Sequence, residues 1–190
     1  MREASAALVL AAGLSRRFGA NKLLSNWNGR PLVSHAVAVA CAAPVDRIVV
    51  VTGHEADRVA AAVLDQAPRP TRIVRATGYA EGMALSLRAG IAALDADVRG
   101  VVVFLGDMPD VPHGIAADVL KAVLDGAPAA APVFAGRRGH PTAFRADLFP
   151  TLRTLSGDEG AKSVFSDLGE MWVRIPCDDA GVLFDVDRHD

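Results

Sequence analysis

Short runs rich in valine, isoleucine and leucine alternate with alanine-rich stretches along the first half of the sequence. The runs are five or six residues long and lie at 6–10, 47–51, 71–75 and 100–105. Runs of this kind are typical of strands that helices cover on both faces, as in a parallel sheet. They predict at least four strands that pair within one sheet.

The stretches between these runs predict helices, at 31–43, 55–65 and 83–94. Pro31 fits the first turn of a helix, because the N–H group that proline lacks has no partner there. Repeated alternation of strands and helices predicts an α/β fold, with helices in layers on both faces of a mostly parallel sheet.

The pattern changes after Asp107, where proline and glycine become denser. Short strands are predicted at 129–134 and 142–144, and a helix at 158–168. The sheet is therefore expected to be mixed, with an antiparallel element in the second half. The 190 residues contain no repeat and no linker long enough to separate two domains, so one domain is expected over residues 1–190.

Composition excludes several classes of function. Lys and Arg total 20 against 22 for Asp and Glu, a net charge of −2, and aromatic residues make up 5%. Such a chain is not expected to bind polymeric nucleic acid. Cys41 and Cys177 are too far apart to indicate a disulfide scaffold or a thiolate zinc site. The N-terminal apolar run ends at Gly13, too short for a membrane span, so a cytoplasmic protein is expected.

The segment that follows the first predicted strand carries the most information. Small residues there allow backbone N–H groups to approach phosphate oxygens, and cations follow them. The candidate nucleotide-binding residues of this loop are Leu10, Ala11, Ala12, Gly13, Ser15, Arg16 and Lys22. Gly13 and Gly19 fit neither a dinucleotide fingerprint nor a P-loop. A flexible loop with solvated cations is the alternative.

An acid follows the strand predicted at 100–105, in the sequence Gly106-Asp107-Met108-Pro109. The carboxyl end of a buried strand is the ligand-binding edge of such a sheet, and a carboxylate there suits Mg²⁺. Asp107 is the candidate metal ligand, with Asp110 as a weaker alternative. The other interpretation of Asp107 is a turn or helix-cap residue.

Further candidates lie on two loops and near the C-terminus. Gly82 and Ser86, at the start of the third predicted helix, could contact a nucleobase or belong to an ordinary helix N-terminus. Asp185 and Asp187 alternate, so on a strand they share a face and one could meet Asp107, or both belong to an exposed acidic tail.

Two further segments, between Ser86 and Asp185, contain residues that could bind a ligand. The turn Gly139-His140-Pro141 could present the His140 imidazole to a ligand. Asp158 precedes a predicted helix and could bind a ligand or cap that helix. Both segments lie in the half of the chain where the strand and helix pattern is less regular.

The string L-A-A-G-x-S-x-R-x-G, followed closely by Lys22, resembles the signature of nucleotidyltransferases with a glycosyltransferase-A-like fold. Within these, the chain is most similar to the molybdenum cofactor cytidylyltransferases, over nearly its whole length. The resemblance implies a Rossmann-like α/β/α fold. It also implies a metal role for Asp107 and base contacts for Gly82 and Ser86.

The resemblance extends to the second half of the chain. Asp187 matches a second metal ligand, although Arg188-His189 replaces the Thr-Pro that usually follows it. Gly139, His140 and Pro141 match an acceptor-side loop, and Asp158 matches a G-D-x-G-A segment. These four residues are thereby implied in acceptor binding.

The implied reaction is Mg²⁺-dependent transfer of CMP from CTP to the phosphate of molybdenum-molybdopterin, with release of pyrophosphate. Arg16, Lys22 and Asp107 are the implied catalytic residues. Ala12 favours CTP, because related guanylyltransferases have glycine there and its methyl group narrows the space for a purine. The implied partners are CTP and a phosphorylated pterin, with docking to a molybdenum hydroxylase or its chaperone.

Three alternatives remain open at the level of the sequence. One is a GTP-dependent guanylyltransferase of the same cofactor, and another is a cytidylyltransferase with a different small phosphorylated acceptor. Isoprenoid-pathway cytidylyltransferases share L-A-A-G but usually carry Pro-Lys-Gln where this chain has Asn21-Lys22-Leu23. The third alternative is a domain that senses nucleotides without catalysis.

Overall fold

The computed structural model describes residues 4–15, 20–157 and 160–186. The strands are β1 (Ala4–Ala11), β2 (Asn26–Trp27), β3 (Arg30–Pro31), β4 (Arg47–Thr52), β5 (Arg72–Arg75), β6 (Val98–Leu105), β7 (Ala129–Phe134), β8 (Arg137–Arg138), β9 (Thr142–Arg145) and β10 (Val173–Pro176). The α-helices are α1 (Leu32–Ala42), α2 (Ala56–Gln66), α3 (Met83–Ala92), α4 (Ile115–Leu124), α5 (Phe149–Leu152) and α6 (Lys162–Leu168).

One mixed sheet organises the described residues, with strand order β10-β7-β9-β6-β1-β4-β5 and β8 paired to β7. β1 pairs in parallel with β4 on one side and β6 on the other. β9 runs antiparallel to both β6 and β7. The predicted α/β fold with a mostly parallel, mixed sheet is therefore confirmed.

Strand β1 is buried along its whole length because helices cover both faces of the sheet. Alternate residues point to opposite faces, so Val9 packs with α1, α2 and α4, whereas Leu8 packs with α3, α5 and α6. Gly90 of α3 lies directly over Leu8, since a Cβ atom there would lie 2.6 Å from Leu8 Cδ2. This contact brings α3 close to the central strand.

The order of strands defines where a ligand can bind. The chain builds outward from β1 through β4 to β5, and then returns to place β6 on the other side of β1. In open α/β sheets this reversal leaves a crevice at the carboxyl ends of the two strands. The loops that follow β1 and β6 both lie at this edge.

Some boundaries differ from those predicted. Pro31 belongs to β3, with ψ of 137°, and α1 begins one residue later at Leu32. The ring of proline restrains φ but not ψ, so extended backbone is equally open to it. The helix expected at 158–168 is observed from Lys162, and Asp158 lies outside the described residues.

Helix α4 and strand β10 were not expected from the sequence. The buried positions of α4 have helical spacing, so its pattern was readable despite the prolines before it. β10 has mostly exposed residues and lies at the edge of the sheet, so it carries no alternating apolar pattern. Among the described residues, no helix combines the length and apolar character that crossing a bilayer requires.

Candidate active site

Asp107 lies in the turn that follows β6, at the crevice edge of the sheet. The Gly106 N–H donates a hydrogen bond to the Leu10 carbonyl (2.9 Å) at the end of β1. A Cβ atom on Gly106 would lie 3.1 Å from that same oxygen, so the missing side chain permits the close approach. The turn therefore holds Asp107 beside the loop that follows β1.

Lys22 forms the central contact of the site. Its Nζ lies 2.7 Å from Asp107 Oδ2, and the two side chains are 16% and 22% exposed. The same Nζ donates a hydrogen bond to the Val186 carbonyl (2.9 Å). A cation and a carboxylate are thus brought together from opposite sides of the crevice, where they remain accessible to a ligand.

Neighbouring groups hold the backbone of Lys22. The Lys22 N–H donates to Ser15 Oγ (3.1 Å), and Ser15 adopts a positive φ of 50°. Asn21 accepts a hydrogen bond from the Leu23 N–H (3.2 Å) and donates one to the His54 carbonyl (3.2 Å). These contacts orient the lysine through its main chain.

The small residues after β1 divide into buried and open positions. Leu10, Ala11 and Ala12 are buried, and the Ala12 carbonyl accepts a hydrogen bond from the His54 N–H (3.3 Å). Gly13 is exposed, with no atom within 4 Å of where its Cβ would lie. The open backbone of this loop therefore begins at Gly13. Arg16 lies outside the described residues.

The second loop of the predicted nucleotide site lies beside the first. Gly53, after β4, leaves no space for a side chain, because a Cβ atom there would lie 2.6 Å from Tyr79 and 2.8 Å from the Ala12 methyl group. Gly82 has φ of 129° and ψ of 169°, a conformation essentially restricted to glycine. Ser86 is 5% exposed, within the first turns of α3.

The segment Gly139-His140-Pro141 packs against the chain near its C-terminal end. The His140 N–H donates to the Val182 carbonyl (2.8 Å), and a Cβ atom on Gly139 would collide with that carbonyl. His140 is half-buried, and its Nδ1 is buried without a hydrogen-bond partner among the described residues. The peptide bond before Pro141 is cis.

The electrostatic surroundings of His140 connect this segment to Asp107. Burial, and to a smaller extent the charge of Arg138, lower the pKa of His140 from 6.5 to about 4. The Asp107 carboxylate and a hydrogen bond to the Val103 backbone oppose this shift. The imidazole is therefore neutral at physiological pH and lies within electrostatic range of both charged groups.

Residues after α6 complete the site through main-chain contacts, which differ from the side-chain contacts expected of Asp185 and Asp187. The Val186 N–H donates to the Asp107 carbonyl (3.0 Å), while the Val186 carbonyl accepts from Lys22. Gly181 fits directly against the Asp110 carbonyl, where a Cβ atom would collide. These are main-chain contacts, so no side-chain motif could have indicated them. Asp187 lies outside the described residues.

Gly157 and Gly160, two described residues of the G-D-x-G-A segment, contact the start of α3. The Ala84 N–H, at the start of α3, donates to the Gly157 carbonyl (3.1 Å). A Cβ atom on Gly160 would lie 3.1 Å from Met83 Sδ. This segment therefore contacts the loop that carries Gly82, which joins the two predicted binding regions.

In open α/β sheets ligands bind at the switch point, and Lys22 and Asp107 lie there together. Comparison with known sequences agrees, because the profile of MobA-like NTP transferase domains matches residues 7–171. The chain belongs to this family.

The matched region covers most of one relative and a small part of another. Purine catabolism protein PucB of Bacillus subtilis is 30% identical over 187 residues, which cover 94% of this chain and 89% of PucB. Bifunctional protein GlmU of Cutibacterium acnes is 36% identical over 107 residues, which cover 55% of this chain and 25% of GlmU. The chain thus spans about a quarter of that GlmU.

Solved structures share the fold. Rv0371c of Mycobacterium tuberculosis H37Rv superposes with a TM-score of 0.86 at 28% identity, covering 99% of this chain and 95% of the other. A manganese complex of Rv0371c superposes with a TM-score of 0.76 at 25% identity, covering 93% and 89%. The arrangement of strands and helices is therefore that of these proteins.

Proposed function

We propose that this chain is a nucleotidyltransferase that moves CMP from CTP to the phosphate of molybdenum-molybdopterin and releases pyrophosphate. The observation that carries this proposal is the contact between Lys22 Nζ and Asp107 Oδ2 (2.7 Å) at the carboxyl ends of β1 and β6. Membership of the NTP transferase family supports the class of reaction.

In this reaction an oxygen of the acceptor phosphate attacks the α-phosphorus of CTP. The bond between that phosphorus and the oxygen bridging to the β-phosphorus breaks, and pyrophosphate leaves with the bonding electrons. No side-chain nucleophile is required, so catalysis depends on positioning and on neutralising charge. Lys22, held through its backbone by Ser15, is suited to stabilising the charge on the triphosphate, and Arg16 is proposed to assist it.

The nucleotide is proposed to lie along the loop that follows β1. Gly13 offers open backbone, whereas Ala12 is buried and packs close to Gly53. A buried methyl group at this position leaves less space for a large base, which supports CTP over GTP. Gly82, on the loop that adjoins Gly53 through Tyr79, and Ser86, in the first turns of α3, are proposed to lie near the base.

The metal proposed for the reaction is Mg²⁺. Asp107 supplies a hard, partly exposed carboxylate oxygen. This fits Mg²⁺, which commonly takes one or two protein carboxylates and completes its shell with phosphates and water.

Asp107 and Asp187 are proposed to hold this ion. The neighbour of Asp187, Val186, is hydrogen-bonded to Asp107, which supports pairing of the two acids. When bound, the ion would supply positive charge to the phosphates. The manganese complex of Rv0371c is consistent with a divalent cation in proteins of this fold.

The acceptor is proposed to bind on the opposite side of Asp107 from the nucleotide loop. Gly139, His140, Pro141 and Asp158 are the proposed acceptor-binding residues. Support comes from His140, which lies within electrostatic range of Asp107 and has a buried Nδ1 without a partner in the described part of the chain.

The deciding experiment compares Asp107→Asn with Asp110→Asn. Pyrophosphate release is measured with CTP, Mg²⁺ and molybdenum-molybdopterin. We expect Asp107→Asn to lower turnover by about 100-fold or more while the protein remains folded, because charge stabilisation in the transition state is lost. Asp110 is an exposed acid of the same turn, so its amide variant should retain turnover.

Other results would redirect the proposal. Wild-type turnover by Asp107→Asn would contradict the role of Asp107. Thermal stabilisation by GTP rather than CTP would indicate a guanylyltransferase. Turnover with a different phosphorylated acceptor would change the substrate, and CTP binding without turnover on any acceptor would indicate a nucleotide sensor.

A further inference from the structure

Arg138 is a half-buried cation that no carboxylate of the described residues contacts. It ends β8, and its guanidinium carbon lies 4.1 Å from the centre of the Phe165 ring. Burial lowers the pKa of Arg138, and among the described residues no carboxylate opposes this shift. The aromatic ring supports one face of the guanidinium, while the N–H groups at its edge have no acidic partner in the part of the chain that the structure describes.

Several other arginines in the described chain contact carboxylates. Arg47 contacts both Asp95 and Asp97, and Arg145 contacts Asp147. A guanidinium removed from water loses hydration that its own donors must recover elsewhere. Among the described residues no carboxylate compensates Arg138 for this loss, and an external anion would do so.

The position of Arg138 relates it to the reaction. It immediately precedes Gly139, and its charge lowers the pKa of His140, which in turn is influenced by Asp107. On its other side it covers Phe165 of α6. Arg138 therefore lies between α6 and the His140 segment, on the side of Asp107 where the acceptor is proposed to bind.

His140 supplies an independent indication of a ligand. Its Nδ1 is buried and lacks a hydrogen-bond partner in the described residues, a condition that native proteins rarely leave unsatisfied. Arg138 and His140 are thus two nearby polar groups with unused hydrogen-bonding capacity. One anionic ligand that also carries a hydrogen-bonding group can satisfy both.

We propose that Arg138 binds the phosphate monoester of the acceptor and so selects phosphorylated acceptors over unphosphorylated ones. This inference rests on the proposed function. A guanidinium presents two parallel N–H donors that match two phosphate oxygens, and stacking on Phe165 fixes the plane of that fork. The third phosphate oxygen is left to face the α-phosphorus of the nucleotide.

Binding of inorganic phosphate tests the site directly. Phosphate is titrated calorimetrically, at constant ionic strength, into protein saturated with Mg²⁺ and α,β-methylene-CTP, so that the triphosphate site is already filled. We expect Arg138→Gln to weaken phosphate binding by about tenfold or more, because charge-assisted hydrogen bonds are lost. Arg137→Gln is the matched control, since Arg137 is the exposed neighbour on the same strand.

Arg138→Lys keeps the charge and the aliphatic part of the side chain but loses the two parallel N–H donors of the guanidinium. This variant replaces Arg138→Gln in the titration if Arg138→Gln does not fold. It is expected to weaken phosphate binding by several-fold. Unchanged phosphate affinity in whichever variant folds, or an equal loss in Arg137→Gln, would overturn the inference. Loss of affinity for the CTP analogue alone would instead assign Arg138 to the nucleotide site and also overturn it.

Kinetics separate this inference from the proposed function. With an active acceptor, Arg138→Gln should raise the acceptor KM by about tenfold and leave the KM for CTP unchanged. If no acceptor supports pyrophosphate release but phosphate binding still depends on Arg138, the proposed reaction fails and the anion site stands. If transfer occurs with an Arg138-independent acceptor KM, the reaction stands and the anion site fails.

Discussion

Lys22 and Asp107 show how a single ion pair can be marginal for stability and central to a site. Both side chains are partly exposed, so water screens their attraction. Such a pair contributes on the order of 0–1 kcal/mol to folding. Its value lies in placing a cation and a carboxylate at one point of the crevice.

Lys22→Met should therefore separate binding from folding. We expect binding of Mg²⁺-CTP to weaken by about tenfold or more, because a charge-assisted contact to phosphate is lost. The melting temperature should change little. Lys121→Met is the control, since Lys121 pairs with Asp125 on the exposed surface of α4. Calorimetric titration and thermal unfolding measure the two effects, and equal CTP affinity in both variants would contradict the assignment.

Titration of His140 makes the stability of the folded chain depend on pH. Its pKa is about 4 in the folded chain, against an ordinary value of 6.5, because burial and Arg138 disfavour the charged ring despite the opposing Asp107. Between these two pH values the unfolded chain binds a proton that the folded chain does not. The free energy of unfolding is therefore not reduced by His140 above about pH 6.5, and it falls as the pH is lowered towards 4.

We expect the loss across this window to reach on the order of 2 kcal/mol in the free energy of unfolding. His140→Gln cannot titrate, so its stability should fall less between pH 7 and pH 4.5. Urea unfolding at several pH values measures the difference. Because the remaining histidines are common to both proteins, parallel pH profiles would show that His140 titrates normally.

At the scale of elements, the chain after β10 packs against both the Asp107 turn and the His140 segment. A short 3₁₀ helix (Ala180–Leu183) fits between the Asp107 turn and the His140 segment, and the chain then reaches Val186. Two glycines make this packing possible, Gly139 against Val182 and Gly181 against Asp110. The geometry of the site therefore depends on a segment that contributes backbone rather than catalytic groups.

Gly181→Ala should disturb this packing, because its methyl group would collide with a backbone carbonyl. We expect a loss of about 1–3 kcal/mol in the free energy of unfolding, as for other overpacked positions, and lower turnover. Gly114→Ala is the control, since no atom lies within 4 Å of that position and its φ is −76°. Chemical denaturation measures both, and a neutral Gly181→Ala would mean that this segment packs differently.

At the scale of the whole described chain, the sheet explains how a nearly neutral protein can present a local charged site. The net charge of −2 is spread over the surface, whereas the switch point gathers Lys22, Asp107, His140 and Arg138 from distant parts of the sequence. Long-range attraction of a polyanion is not required for a small ligand that binds among such groups.

Much of the sheet was predictable because strands and helices are local patterns. The runs at 6–10, 47–51 and 100–105 correspond to β1, β4 and β6, each of which is one to three residues longer. The acid after β6 and the small residues after β1 were recognisable for the same reason. Strand β10 and Pro31 were not, since an edge strand lacks the apolar pattern and proline accepts extended backbone.

The sequence by itself determined the alternation of strands and helices, and with it the two loops that had to meet at one edge of the sheet. Only the tertiary structure decided that Lys22 would contact the carbonyl of Val186, 164 residues away, and that Arg138 would stack on Phe165 with no carboxylate partner among the described residues. The physical reason is that periodicity reports local burial, whereas these contacts arise from main-chain groups and packing between distant segments.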